Sequence, residues 1–77
     1  MPTWSVEGIH GVMFEIRTKE RGHNMPHVHA HYSGEDVSIA LNGEVLAGGI
    51  KDKKQKEAIK WVLENARMLQ ERWEELH

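Results

Sequence analysis

Four of the six histidines in this 77-residue chain fall within nine residues of one another, and their types and spacing are suited to chemistry. These are His23, His27, His29 and His31. Histidine changes charge near physiological pH, and its neutral imidazole binds borderline metals, so the cluster could transfer protons or hold an ion. On a β-strand, histidines at steps of two lie on one face, about 6.6 Å apart. The sequence therefore predicts a row of imidazoles on a single strand face.

Three interpretations of this row stay open at the level of sequence. His27 and His29 could bind Zn²⁺ or Ni²⁺, with His23 from the preceding loop or Glu15 from the adjacent strand as a third ligand. The same rings could act as acid and base in phosphoryl or nucleotidyl transfer. They could also be structural, because histidines on a strand are often solvated or hydrogen-bonded to nearby backbone. Whether the protein is an enzyme is therefore left undecided.

The first 50 residues have an apolar spacing of mostly two, with glycines between the segments, which predicts strands and turns. The expected strands are a short piece at Trp4 and Val6, then Ile9–Thr18, His27–Tyr32, Asp36–Leu41 and Glu44–Ala47. The expected turns are Glu7-Gly8, Ser33-Gly34 and Asn42-Gly43, with Gly48-Gly49 ending the sheet. Asn-Gly is the strongest of these signals, since it favours two-residue hairpins.

The remaining residues have an apolar spacing of three and four with no glycine or proline, which predicts an amphipathic helix. Asp52 is its expected cap, and Gln55 would complete a capping box. The apolar stripe consists of Ile59, Val62, Ala66, Leu69, Trp73 and Leu76. The predicted helix would be about 36 Å long, which exceeds the width of a four-stranded sheet, so the sequence leaves open a break near residues 64–66.

The predicted fold class is α+β, as a single domain over residues 1–77. It consists of an antiparallel meander of three to four strands packed against the C-terminal helix. Because one core of this size contributes only about 3–5 kcal/mol, a homo-oligomer or a small partner protein is expected.

Composition excludes several classes of protein. The net charge of −2 and the 29% of charged residues fit neither a disordered tail nor a strongly basic nucleic-acid binder. The chain has no cysteine, which rules out disulfides and thiolate metal sites. It has no apolar run long enough to span a membrane and no signal-peptide pattern, so a cytoplasmic protein is expected.

Two features of the helix are candidates for binding. Lys51, Lys53 and Lys54 are weak candidates for anion binding, and RNA is a weak candidate partner, since a solvated lysine-rich turn would look the same. Trp61 and Met68 lie off the main stripe, seven residues apart and on one helix face. They form a candidate interface, unless the helix breaks and Trp61 packs inward.

The segment His23-Asn24-Met25-Pro26-His27-Val28-His29-Ala30 resembles the signature His-Asn-Pro-Pro-His-Phe-His-Ala of a small bacterial family, the domain of unknown function numbered 4160. The similarity continues through Met1-Pro2-Thr3, Tyr32, Gly43-Glu44-Val45-Leu46, Trp61 and Trp73. Met25 replaces the first proline of the signature, and Lys51 stands where a proline usually starts the helix.

The resemblance implies that His23, His27 and His29 are the motif histidines, whereas His31 lies outside the motif. It implies a module that acts through protein association, as one member of a toxin–antitoxin-like pair, with its partner encoded nearby. It implies no established catalytic activity. The alternative is a small histidine-dependent hydrolase or ribonuclease, or a metal-binding protein.

Overall fold

The computed structural model describes residues 4–17 and 25–76, which form a five-stranded antiparallel sheet followed by two helices. The elements are β1 (Trp4–Ile9), β2 (Val12–Ile16), β3 (His27–Tyr32), β4 (Glu35–Ala40), β5 (Val45–Gly49), α1 (Asp52–Glu64) and α2 (Ala66–Leu76). Each strand pairs with the next along the chain, so the sheet is a meander. The α+β class is confirmed, but the expected number of strands was too low. None of the described helices is both long and apolar enough to cross a membrane.

The turns on either side of β4 lie where the sequence predicts them. Ser33 and Gly34 have φ angles of 52° and 83°, as a two-residue hairpin turn requires. In the next turn the Gly43 N–H donates to the Ala40 carbonyl at 2.9 Å, and the Asn42 side chain accepts from the Glu44 N–H at 2.9 Å. These two turns fix the register of the central strands.

The predicted turn at Glu7-Gly8 was wrong, because β1 continues through it to Ile9. The chain reverses at His10-Gly11, with φ angles of 49° and 81°. Gly8 lies at a bulge in the β1–β2 pairing, and a Cβ there would be 2.3 Å from the Phe14 ring. The glycine therefore allows close packing of a ring and does not mark a turn.

The last strand also differs from its prediction, since β5 includes Gly48 and Gly49. Gly48 has φ of +73°, and a Cβ on it would lie 2.5 Å from the Asp36 carbonyl oxygen. Its role is to let β5 approach β4 closely, so the pair of glycines continues the strand.

One face of the sheet, the core face, packs against the helices. Alternate strand residues, Ile50 after β5 and three helix residues form its buried apolar cluster: Val12, Phe14, Ile16, Val28, Ala30, Val37, Ile39, Ile50, Ala58, Val62 and Leu69. The other members of the predicted helical stripe pack around this cluster, including Ile59, Trp73 and Leu76. The predicted stripe is confirmed except at Ala66, and the packed face is broader than predicted because it also includes Ala58, Trp61 and Met68.

The helix start and the helix break have local causes. Asp52 is the first helical residue and not the cap, which is Lys51 without a side-chain hydrogen bond. Gln55 reaches back, but its side-chain oxygen accepts from the Ile50 N–H at 3.1 Å. At Asn65 the side-chain amide donates to the Trp61 carbonyl at 2.9 Å, which closes α1 and permits the break expected near residues 64–66.

Candidate functional site

The histidines of β3 lie together on the sheet face opposite the core face, as their spacing predicts. In the register of the sheet His29 lies between Glu15 on β2 and Ser38 on β4, and His31 lies between Met13 and Asp36. Val28 and Ala30 alternate with them and are buried on the core face. We call the surface formed by Met13, Glu15, His27, His29, His31, Asp36 and Ser38 the histidine face.

His27 and His29 are the buried members of this face, with only 2% and 8% of their surface exposed. The Nδ1–H of His27 donates to the Met25 carbonyl oxygen at 3.0 Å, which fixes the orientation of the ring. Nδ1 of His29 shares a hydrogen bond of 3.1 Å with the Ser38 hydroxyl. The two imidazoles meet edge to face at a centroid distance of 5.2 Å. The pair is therefore an ordered, hydrogen-bonded unit.

The second helix contributes an aromatic side chain to the histidine pair. The ring of Trp73 lies 5.1 Å from that of His27, centroid to centroid. Trp73 also packs against the core cluster, and His27 is the first residue of β3, beyond the β2–β3 pairing that ends at Glu15 and His29, so the two rings meet at the end of the sheet. The burial of His27 is thus linked to the position of α2.

His31 belongs to a separate charged group at the other end of β3. Glu15 Oε1 accepts from Nε of Arg17 at 2.8 Å and lies 3.3 Å from Nε2 of His31. The hydrogen bond from Arg17 lowers the pKa of the Glu15 carboxyl; partial burial opposes this, and the bond to His31 adds to it. Glu15 is consequently held as a carboxylate and is engaged by a guanidinium and an imidazole.

A shallow depression of about 530 Å³ opens beside this charged group. Its lining comes from the β1–β2 turn, from β2 and from the β3–β4 hairpin: Gly11, Met13, His31, Tyr32, Ser33, Gly34, Glu35 and Asp36. Met13 lies next to the β1–β2 turn, on a strand that is paired on both sides, and is 40% exposed. The depression contains His31 but neither of the two buried histidines.

The predicted metal ligands are only partly brought together. His27 and His29 are neighbours, whereas the Glu15 carboxylate is bonded to Arg17 and His31. His23 lies outside the described residues. Within residues 4–17 and 25–76 no group of three or more histidine, aspartate or glutamate side chains is placed to hold a metal ion. A Zn²⁺ or Ni²⁺ site that includes His23 stays a prediction.

Of the three lysines proposed for anion binding, Lys51 and Lys53 are exposed and Lys54 is engaged within the fold. The Lys54 ammonium donates to the His10 carbonyl at 3.3 Å, lies 3.6 Å from Glu57 and lies 5.1 Å from the centre of the Tyr32 ring. It therefore ties α1 to the β1–β2 turn and to the end of β3.

Trp61 and Met68 both pack against the core cluster. The Trp61 ring stacks on Phe14 with a centroid distance of 4.0 Å and an interplanar angle of 18°. This is the inward packing that the sequence left open as the alternative. An interface role for the partly exposed edges of the two side chains stays a prediction.

Three contacts of the site were not anticipated from the sequence: Ser38 with His29, Trp73 with His27, and Arg17 with Glu15. The first could have been found, because a two-residue turn at Ser33-Gly34 pairs Tyr32 with Glu35 and hence His29 with Ser38. The second depends on how the helices are placed, and no local pattern reports it.

The fold and site define a small α+β protein in which a five-stranded meander holds paired histidines on the face opposite its core face. The comparisons with known proteins agree with the resemblance seen in the motif. The family model for the Domain of unknown function (DUF4160) matches residues 11–74, and the chain belongs to this family. The matched region contains β2 to β5 and α1 entire. The chain matches no curated protein and no solved structure.

Proposed function

We propose that this protein is a cytoplasmic binding module of bacterial type that acts by associating with a second small protein, as one member of a toxin–antitoxin-like pair. The observation that carries the proposal is the open end of the histidine face, where exposed Met13 lies beside the depression. An apolar side chain surrounded by polar groups on an otherwise polar surface is typical of a protein interface. A second copy of the chain could occupy the same surface.

Association through the face is favoured over association through a strand edge. The two edge strands, β1 and β5, both carry register shifts: between Glu7 and Ile9 in β1, and opposite Ser38 and Ile39 in β5. Such bulges twist an edge away from an incoming strand and are a common protection against strand addition. The sheet is thus poorly suited to edge pairing, which leaves the open end of the histidine face as the docking surface.

A small histidine-dependent hydrolase or ribonuclease is the second candidate. It is favoured by the hydrogen bond of 3.1 Å between Ser38 and His29, since a hydroxyl beside an imidazole is the arrangement that activates a nucleophile. An enzyme also needs room for substrate beside its catalytic groups. The depression beside Met13 touches neither His27 nor His29 and therefore supports docking at Met13, not chemistry at the buried pair, so the binding module is the better supported of the two.

The test is the association state of the purified protein, measured by sedimentation at micromolar concentration, alone and with the protein encoded beside it. We expect a complex, and we expect Met13→Lys to weaken it at least about tenfold, since truncating or charging a central contact costs more than about 1.4 kcal/mol. Lys at this position can be accommodated in the free protein because Glu7 is its cross-strand neighbour.

Leu63→Lys is the matched control, because Leu63 is 51% exposed on α1, away from the histidine face. It should leave the complex unchanged. A monomer under both conditions would contradict the proposal, and so would equal effects of the two lysine substitutions.

A further inference from the structure

The exposed surface at the start of α1 is composed almost entirely of lysine. Across residues 51–60 the exposed positions are Lys51, Asp52, Lys53, Lys56 and Lys60. We call its four lysines the lysine face. The other charged side chains of this stretch, Lys54 and Glu57, are half-buried and lie 3.6 Å from each other. The surface is therefore strongly positive on a chain whose net charge is −2.

The lysine face is compact and is not neutralised within the described chain. Lys53, Lys56 and Lys60 lie within about 60° of arc and about 10 Å of helix length. Among the described residues no carboxylate forms an ion pair with any of the four ammonium groups. Lysines in the first helical turns also oppose the helix dipole, at a cost of a few tenths of a kcal/mol each. A polyanion bound here would offset that cost.

We propose that the lysine face binds the phosphate backbone of double-stranded RNA. A protein partner is disfavoured because interfaces need an apolar centre, and the exposed residues of 51–60 are all charged, with exposed Leu63 only at the C-terminal margin of the lysine face. Single-stranded nucleic acid is disfavoured because its binding sites stack bases on aromatic side chains, and none is exposed here.

Between the two kinds of duplex, the compactness of the face favours RNA. The A-form major groove is deep and narrow, so phosphates of both strands border a narrow cleft that a small group of ammoniums can bridge. The B-form major groove is about 12 Å wide, which separates the two rows of phosphates. Because the face has only lysines, the binding contacts backbone and does not depend on base sequence.

This surface belongs to α1, which packs on the core face, so its RNA binding is independent of association through the histidine face. The experiment is a fluorescence anisotropy titration of the full chain with a labelled RNA duplex of about two helical turns. With about four lysine–phosphate contacts, affinity should fall roughly a hundredfold between about 50 and 200 mM salt.

The triple variant Lys53→Gln, Lys56→Gln, Lys60→Gln should lose most of the binding and most of the salt dependence. The triple arginine variant at the same positions keeps the charges and should keep the binding. All three sites are exposed, so both variants should retain the circular dichroism spectrum of the parent. Met13→Lys should still bind RNA, which separates this result from that of the proposed function.

Two results would overturn the proposal of a lysine-face site: no RNA binding at about 50 mM salt, where backbone contacts are strongest, or equal binding by the glutamine variant. Equally tight binding of a DNA duplex would overturn the assignment to RNA.

Discussion

The close packing of Phe14 and Trp61 against Gly8 leads to a quantitative prediction for Gly8→Ala. A Cβ at this position would lie 2.3 Å from one carbon of the Phe14 ring and 2.9 Å from a carbon of the Trp61 indole. Carbon atoms in contact are normally about 3.5–4.0 Å apart, so one of the groups must move by more than about 1 Å. Phe14 has no exposed surface and is stacked on Trp61, which leaves its ring little room to move.

Two opposing free-energy terms determine the outcome. Adding a methyl group to a filled core costs about 1–3 kcal/mol, and the large displacement required here points to the upper part of that range. Replacing glycine by alanine also restricts the unfolded chain and returns about 0.4–1 kcal/mol. The net expectation is a destabilisation of about 1–2 kcal/mol, or roughly 4–16 °C in Tm for a domain of this size.

The assay is urea unfolding monitored by tryptophan fluorescence, and Gly49→Ala is the matched control. Gly49 also lies in an edge strand, and among the described residues its Cβ would approach only Oε1 of Gln55, at 3.3 Å, which is the flexible end of a side chain that accepts from the Ile50 N–H. Its replacement should be neutral or stabilising by up to about 1 kcal/mol.

In a Phe14→Leu background, Gly8→Ala should cost less, because the smaller side chain leaves space for the methyl group. Equal free energies of unfolding for the two alanine variants in the parent background would refute the packing argument.

Three further predictions concern core packing, the loss of stability at acid pH and the binding of metal ions. Leu69→Ala should cost about 2–5 kcal/mol in urea unfolding because Leu69 has no exposed surface, whereas exposed Lys56→Ala should stay within about 0.5 kcal/mol. The hydrogen bond from Arg17 lowers the pKa of the Glu15 carboxyl, so the ionised form stabilises the fold at neutral pH and this contribution is lost as pH falls through the lowered pKa. Glu15→Gln should flatten the acid part of the pH–stability curve. Calorimetric titration should show Zn²⁺ uptake at about pH 7.5 that is weaker at about pH 5.5 and reduced by His29→Ala, since imidazoles bind metal only when deprotonated, and no uptake at the higher pH would remove the metal prediction.

The central part of the fold could be predicted from the sequence because each local pattern there is compatible with only one kind of secondary structure. Alternation in β3 placed its histidines on one face, and Ser33-Gly34 and Asn42-Gly43 marked turns that the structure confirms. The apolar stripe of the helix was likewise set by spacing alone. These features depend on neighbours within a few residues, which a sequence displays directly.

The errors occurred at glycines that are required by contacts with residues distant in the sequence. Gly8 and Gly48 both looked like strand ends, but one makes room for the Phe14 ring and the other for the Asp36 carbonyl. The true first turn uses His10, which is uncommon at positive φ. In the site, the contact between Trp73 and His27 could not be foreseen because it depends on the direction of α2 after Asn65.

The separation of α2 from α1 has a consequence for hydrogen exchange. Only Leu69 of α2 is fully buried, whereas β2 to β4 have several residues without exposed surface. Elements with few buried contacts open independently at low free energy, so the amides of α2 should exchange before those of the central strands. Such an opening would remove the Trp73 indole from His27 while the sheet stays paired. Entry of solvent or ions to His27 from this side would then follow the opening equilibrium of one helix and not the global unfolding of the protein.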